Sequence, residues 1–182
     1  LNPDKIAVWG DSAGGNLASM VGTTAAVDSL NGDNTENLDY SSSVQAVVDW
    51  FGPLDFLKMD EQFEESGISP AFGKTSSETS PESSYIGELI TNNPELTQSA
   101  NPSTYITTMN TETSPSFLIQ HGTLDANVPV QQSINFADQL IAAIGENKVN
   151  LVLLEGAGHG TSEFNTAENL DLVFNFLDSI LK

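Results

Sequence analysis

A pentapeptide between an apolar run and a helical pattern is the feature that most restricts the fold of this chain. Residues 6–9 are apolar, and Gly10, Ser12 and Gly14 then form the pattern G-x-S-x-G. Glycines two residues on either side of a serine permit a sharp strand-to-helix turn, because side chains there would collide with the strand and the helix. Such a turn exposes the serine hydroxyl at the carboxyl edge of a sheet, beside the N–H groups that begin the helix. The pattern alone also fits a glycine-rich turn with an incidental serine.

Composition excludes several classes of protein. The chain has 182 residues, enough for one domain with its own core, and contains no Cys. A disulfide scaffold, a thiolate nucleophile and a Cys-based zinc site are therefore excluded. Twenty-five acidic residues against five Lys and no Arg give a net charge of −20. This charge would repel nucleic acid and anionic membrane surfaces, so we expect neither as a partner, and it favours a neutral substrate. The lack of Cys and the acidity permit an extracellular location without requiring it.

Short apolar runs alternate with helical patterns along the chain. Strands are predicted at residues 5–9, 44–51, 116–121 and 149–154, and the main helices at 12–27, 131–144 and 166–181. Apolar runs without alternation are typical of buried parallel strands, which are joined by right-handed crossovers. The sequence therefore predicts one α/β domain over residues 1–182, with a parallel sheet of about four strands and helices on both faces.

Two segments interrupt this alternation. Residues 28–43 contain clusters of Asn, Asp, Gly and Ser, which predict a solvated acidic loop. Residues 54–113 show no strong periodicity, and only short helical pieces are predicted there, at 82–89 and 93–99. A long irregular segment in a compact domain usually carries function or forms a lid. We therefore predict a cap-like insertion at 54–113.

Three of the predicted strands end at a hydroxyl, a carboxylate and an imidazole. Ser12 follows the first strand, Asp125 the third and His159 the fourth. The carboxyl ends of parallel strands share one edge of a sheet, so we expect the three side chains to lie together. A serine becomes a nucleophile when an imidazole removes its proton and a carboxylate orients that imidazole. The sequence therefore predicts Ser12 as nucleophile, His159 as base and Asp125 as acid.

Five motifs spread over nearly the whole chain carry a resemblance to a known family. They are GDSAGGNLA at residues 10–18, WFGPLDF at 50–56, NPSTYI at 101–106, HGTLDANVPV at 121–130 and GAGHG at 156–160. The set resembles α/β-hydrolase esterases, the feruloyl and acetyl-xylan esterases in particular, and is also similar to hormone-sensitive-lipase-like esterases. The chain order Ser, Asp, His is the one found in that fold.

The resemblance implies a fold and a reaction. It implies the α/β-hydrolase fold and carboxylic ester hydrolysis through an acyl-enzyme on Ser12, with the Ala13 N–H as one oxyanion donor and no cofactor or metal. The implied substrates are neutral short-chain esters, with acetyl or feruloyl esters of plant polysaccharide favoured. A hormone-sensitive-lipase-like esterase or a peptidase on the same fold is the alternative.

Some residue assignments stay open on the sequence alone. Asp49 and Asp55 compete with Asp125 as the acid, because some hydrolases place the acid after the preceding strand, here the one predicted at 44–51. His121, the second histidine, is interpreted as a structural residue that bonds within the acid loop. Asn16 is interpreted as an ordinary helix residue.

Family members carry a His-Gly-Gly motif before the turn, whose N–H completes the oxyanion hole, and this motif does not occur in the sequence. We interpret the chain as the C-terminal portion of such an esterase. Loss of one oxyanion donor costs about 10²–10³ in rate, so we expect weak or no hydrolysis of activated esters. The strand at 5–9 would lie at the sheet edge, where it could pair with a second copy, so a homo-oligomer is expected. A catalytically impaired, self-associating chain is thus a further alternative.

Overall fold

The fold is a four-stranded parallel sheet with helices on both faces, as predicted. The computed structural model describes residues 2, 4–30, 32 and 40–182. The strands are β1 (Ala7–Asp11), β2 (Ala46–Trp50), β3 (Ser116–Gly122) and β4 (Val149–Leu154), and they lie in that spatial order. The helices are α1 (Ala13–Thr23), α2 (Met59–Ser66), α3 (Pro81–Ile86), α4 (Pro94–Ser99), α5 (Gln131–Ile144) and α6 (Ala167–Leu181). Short 3₁₀ helices occur at Asp28–Leu30, Phe56–Lys58, Pro102–Thr108, Glu146–Lys148 and Ser162–Asn165.

The two central strands bury both of their faces. Val47 of β2 lies in a core with Ala18 of α1 and Leu140 of α5. The next residue, Val48, faces the opposite way and lies in a second core with Val173 of α6. Successive side chains of a strand point to opposite faces, so continuous apolar runs are what two covered faces require. Burying each such side chain stabilises the fold by about 1.5–3 kcal/mol.

The element ends differ from the predicted ones at the first strand and helix. β1 was expected at residues 5–9 but runs from Ala7 to Asp11, because Asp11 still pairs with Trp50 of β2. α1 was expected to reach residue 27 but ends at Thr23. The hydroxyls of Thr23 and Thr24 donate back to the carbonyls of Ser19 and Met20, which competes with further helix. Half of the predicted acidic loop at 28–43, residues 31 and 33–39, lies outside the described residues.

The segment at 54–113 contains more regular structure than the sequence predicted. α3 and α4 correspond to the two predicted helical pieces, whereas α2 was not predicted. A small separate core holds this segment together, and it includes Phe56, Met59, Phe63, Ile90 and Val128. Val128 belongs to the loop that follows β3, so the core joins the segment to the sheet. None of the helices in the described ranges is long and apolar enough to cross a membrane.

β1 is an edge strand in the described part of the chain, where it pairs with β2 alone. Apolar side chains around this edge are exposed, among them Ile6, Trp9 and Phe174. An edge strand presents unpaired N–H and C=O groups, so we expect copies to associate through β1 about a two-fold axis. Sedimentation equilibrium over a wide dilution range measures this, and a monomer mass throughout would contradict it. Ile6→Lys should favour the monomer, and Leu96→Lys, an exposed leucine on α4, is the matched control.

Candidate active site

The three side chains that the sequence singled out meet at the carboxyl edge of the sheet. The Ser12 hydroxyl lies 2.9 Å from Nε2 of His159, and Nδ1 of His159 lies 2.7 Å from Oδ2 of Asp125. An ionised carboxylate only accepts hydrogen bonds, so Nδ1 carries the proton and Nε2 is free to accept from Ser12. This arrangement is the one in which an imidazole can remove the serine proton.

The backbone of Ser12 is strained. Its φ of 54° and ψ of −119° lie in a region that residues with a side chain seldom adopt. Two hydrogen bonds hold the strained turn: the Ser12 N–H donates to the carbonyl of Trp50 at 2.8 Å, and the Ser12 carbonyl accepts from the N–H of Asn16 at 3.1 Å. The turn is therefore fixed from the neighbouring strand and from the first turn of α1.

The steric reason for the glycine pattern differs in part from the sequence-based expectation. A Cβ on Gly10 would lie 2.1 Å from the carbonyl oxygen of Gly14, so glycine is required at position 10. A Cβ on Gly14 would meet nothing within 4 Å, so the expected collision at position 14 does not occur. The tight position on the helix side is Gly15, whose Cβ would lie 2.3 Å from Oδ1 of Asp49.

Asp125 is fully buried, and its two oxygens have different partners. Oδ1 accepts from the N–H groups of Asn127 at 2.8 Å and Val128 at 3.0 Å, which leaves Oδ2 for His159. Burial opposes ionisation, but the contacts with His121 and His159 and the Val128 amide outweigh it and hold the pKa of Asp125 well below its usual range. The carboxylate is therefore ionised whenever the site is folded near neutral pH.

The other two carboxylates considered as the acid have hydrogen-bond partners other than His159. Asp49 is fully buried and accepts from the Ser19 hydroxyl and the Gly52 N–H, at 2.8 and 2.9 Å. Burial raises the pKa of Asp49, although these two hydrogen bonds and the charge of His121 act in the opposite direction. Asp55 lies near the amide of Asn101. Of the three carboxylates, the structure brings Asp125 to the imidazole.

His121 supports the loop that follows β3 and carries Asp125. Its Nε2 lies 2.9 Å from the carbonyl of Val128, and its Nδ1 lies 2.6 Å from the hydroxyl of Ser133. A carbonyl only accepts, so Nε2 carries a proton. The same Nε2 lies 3.4 Å from Oδ2 of Asp125. His121 thus ties the loop to the start of α5 and adds a donor beside the buried carboxylate.

Two residues of the site were not recognised in the sequence. Phe51 has a positive φ of 45°, and its ring centroid lies 4.6 Å from that of His159, so it forms one wall for the imidazole. Asn16 is almost fully buried, and its amide donates to the carbonyls of Pro53 at 2.8 Å and Ala100 at 3.1 Å. The interpretation of Asn16 as an ordinary helix residue is therefore wrong. Neither role has a local sequence signal, because both depend on contacts between distant loops.

A cavity of about 230 Å³ opens beside Ser12 and His159. The segment at 54–113 forms one wall of it, with Phe56, Lys74 and Tyr85 among the lining residues. Two contacts fix that wall: Asp60 accepts from the backbone and hydroxyl of Thr75, and the Ala71 N–H donates to the carbonyl of Ala126. No Lys lies within the sequence motifs, but the fold brings Lys74 to the cavity.

Ala13 is the first residue of α1 and follows Ser12 directly. The N–H groups of a first helical turn have no acceptor within the helix, so the Ala13 N–H is available to a group bound at Ser12. Helix N-termini also carry a partial positive charge, which favours a negative oxygen there. No group of three or more His, Asp or Glu side chains in the described ranges is arranged to hold a metal ion.

Comparisons with known proteins find that this chain is similar to esterases. Residues 1–140 match the BD-FAE family. The chain is 32% identical over 155 residues to the esterase LipC of Mycobacterium tuberculosis, which covers 85% of this chain and 34% of LipC. The chain therefore spans about a third of the length of that curated relative.

Two solved structures extend the comparison to the fold. A truncated form of a carbohydrate esterase from gut microbiota superposes with a TM-score of 0.80 at 26% identity, over 98% of this chain and 60% of that one. A bifunctional GH43-CE protein of Bacteroides eggerthii superposes with a TM-score of 0.76 at 30% identity, over 96% of this chain and 21% of that one. The chain is therefore similar in fold to both proteins.

Proposed function

Because the chain belongs to the BD-FAE family and has the α/β-hydrolase fold, we propose that it is a serine carboxylic ester hydrolase. The observation that carries this proposal is the continuous series of hydrogen bonds from Ser12 through His159 to Asp125, at 2.9 and 2.7 Å. The name of the relative LipC, an esterase, supports the same reaction.

In the proposed reaction His159 acts as the base twice, first when Ser12 is acylated and again when water removes the acyl group. Oγ of Ser12 attacks the ester carbonyl carbon while Nε2 of His159 takes the hydroxyl proton, and the negative oxygen of the tetrahedral intermediate accepts from the Ala13 N–H. The intermediate collapses, and His159 gives the proton to the departing alcohol, which leaves an acyl group on Ser12. Water then attacks this acyl group with His159 as base, the carboxylic acid leaves, and Oγ of Ser12 regains its proton.

The proposed substrates are neutral short-chain esters, with acetyl or feruloyl esters of plant polysaccharide favoured. The cavity of about 230 Å³ lies below the roughly 300–1,000 Å³ typical of sites for drug-sized ligands, so it suits a single ring or a short acyl group. The net charge of −20 disfavours anionic substrates. The description of a structural relative as a carbohydrate esterase supports a sugar ester.

Covalent labelling tests the proposal directly. A fluorophosphonate probe should label Ser12 and no other residue, and peptide mapping identifies the site. His159→Ala should slow labelling by about 10²–10⁴-fold, because it removes the general base. Ser12→Ala should abolish labelling and serves as the background control.

Labelling is preferred to turnover because its product accumulates, so slow reaction at a site with a single assigned oxyanion donor is still detected. An equal labelling rate in His159→Ala would overturn the proposed mechanism. The absence of any label on the folded protein would favour the catalytically impaired alternative.

A further inference from the structure

Two residues that line the cavity beside Ser12 each carry a buried hydrogen-bond acceptor without a partner in the described protein. Within the described ranges, the buried side-chain atoms without a partner are Oδ1 of Asn16, Nε1 of Trp50 and Oε2 of Glu82. Asn16 and Glu82 both line this cavity. Buried polar atoms in native structures are nearly always paired, and an unpaired one is destabilising. Two unpaired acceptors in one cavity therefore call for a specific explanation.

The orientation of the Asn16 amide is fixed by its neighbours. Its Nδ2 donates to two backbone carbonyls, those of Pro53 and Ala100. Rotating the amide by half a turn would place its oxygen against both carbonyl oxygens, which is repulsive. The unpaired atom of Asn16 is therefore an acceptor, and it lies one helical turn after Ser12.

Glu82 brings a buried carboxyl group to the wall of a mainly apolar cavity. The residue is 7% exposed, and Phe56, Pro81 and Tyr85 line the same space. Lys74 also lines the cavity but forms no ion pair with Glu82 in the described structure. Burial raises the pKa of Glu82, and the charge of Asp60 adds to this, while the Glu82 amide and the Ser80 hydroxyl oppose it. A buried carboxyl group without a cationic partner is suited to accept a hydrogen bond from a neutral donor.

We propose that Glu82 is a specificity-determining residue that accepts a hydrogen bond from a hydroxyl of the substrate, with Oδ1 of Asn16, one helical turn after Ser12, as a second acceptor. This inference rests on the proposed function for the identity of the ligand as an ester. Apolar walls with buried acceptors fit a ring that carries hydroxyl groups. The ring can belong to the alcohol, as in a sugar, or to the acyl group, as in a hydroxylated aromatic acid.

Binding to a catalytically silent protein tests this inference independently of turnover. In the Ser12→Ala background, NMR titration gives Kd for two ligand pairs that differ in their hydroxyl groups. The first pair is methyl 2-O-acetyl-xyloside and its 3,4-dideoxy analogue, and the second is methyl 4-hydroxycinnamate and methyl cinnamate. Glu82→Leu should weaken binding of the hydroxylated member of at least one pair by about 10–100-fold and change its partner by less than about twofold. The pair that responds identifies whether the hydroxyl is on the alcohol or on the acyl group.

Matched variants separate this effect from loss of charge or of structure. Glu95→Leu removes the same charge from an exposed position on α4 and should leave all four Kd values unchanged. Glu82→Leu removes an unpaired buried oxygen but also the contact of the carboxylate with the Ser80 hydroxyl, so the thermal unfolding midpoint is measured to show that the variant is folded. Glu82→Gln keeps the size and one acceptor oxygen, so its loss should be smaller than that of Glu82→Leu.

If adding Glu82→Leu to the Ser12→Ala protein leaves the Kd values of both ligand pairs unchanged, the inference is overturned. That result would indicate that water satisfies Oε2. Hydrolysis of the same four esters by the unmodified chain reports separately on the proposed function. A differential Kd without hydrolysis would leave the hydroxyl site standing and count against the esterase reaction.

Discussion

Replacing Asp125 by asparagine is expected to slow both ester hydrolysis and fluorophosphonate labelling of Ser12 by about 10⁴-fold. The two backbone N–H groups of Asn127 and Val128 require an acceptor, so the asparagine oxygen will stay at the Oδ1 position. Its NH₂ group then faces Nδ1 of His159, which must accept rather than donate. The imidazole proton moves to Nε2, and Nε2 can no longer take the proton of Ser12.

Asp49→Asn is the matched control, because Asp49 is also fully buried and was a competing candidate for the acid. Its Oδ1 accepts from the Gly52 N–H, and its Oδ2 accepts from the Ser19 hydroxyl, which can rotate and accept from an amide instead. We expect Asp49→Asn to retain the labelling rate within a few-fold. A loss in Asp49→Asn as large as that in Asp125→Asn would contradict the assignment of the acid. Circular dichroism of both variants excludes unfolding as the cause.

The parts of the site that the sequence predicted are those that follow from strand order. Ser12 directly follows β1, and Asp125 and His159 lie in the loops that follow β3 and β4. Parallel strands bring their carboxyl ends to one edge of the sheet. The prediction therefore needed only the strands and their direction. Their continuous apolar runs predict both, because such runs indicate strands that are covered on both faces, and these strands are typically parallel. Continuous runs such as Val47 and Val48 are the signal.

The parts that the sequence did not predict depend on contacts between segments without periodicity. Glu82 and Lys74 of the segment at 54–113 and Asn16 of α1 line one cavity, and the cavity exists only once that segment has folded over α1. The unpredicted helix α2 has the same origin. It has only Met59 and Phe63 as apolar residues in a sequence of eight, MDEQFEES, and it is stabilised by the small core that it shares with Ile90 and Val128.

The spacing of the glycine pattern does not identify which glycines are sterically required. The spacing singles out Gly10 and Gly14, whereas the close approaches involve Gly10 and Gly15. Gly15 is tight because Asp49 of β2 packs against the first turn of α1. A partner 34 residues away along the chain determines that requirement. A five-residue pattern contains no information about it.

Gly10→Ala and Gly14→Ala should therefore differ strongly, although both change a glycine of the same pentapeptide. A Cβ at position 10 would lie 2.1 Å from the carbonyl oxygen and 2.3 Å from the carbonyl carbon of Gly14, and backbone atoms cannot move away alone. The first turn of α1 must shift, and it carries Ser12 and the Ala13 N–H with it. We expect Gly10→Ala to lower the free energy of unfolding by about 1–3 kcal/mol and to slow labelling of Ser12 by at least about 10²-fold.

Gly14→Ala should leave labelling within a few-fold of the unmodified chain and raise the free energy of unfolding by up to about 1 kcal/mol, because alanine is the better helix former and its Cβ meets nothing within 4 Å. Urea denaturation and the labelling rate of Ser12 measure both effects. Equal losses in the two variants would mean that the turn needs the flexibility of glycine at both positions. Loss confined to Gly10→Ala would assign the requirement to a steric contact between the end of β1 and the first turn of α1, the contact that holds Ser12 in its strained backbone conformation.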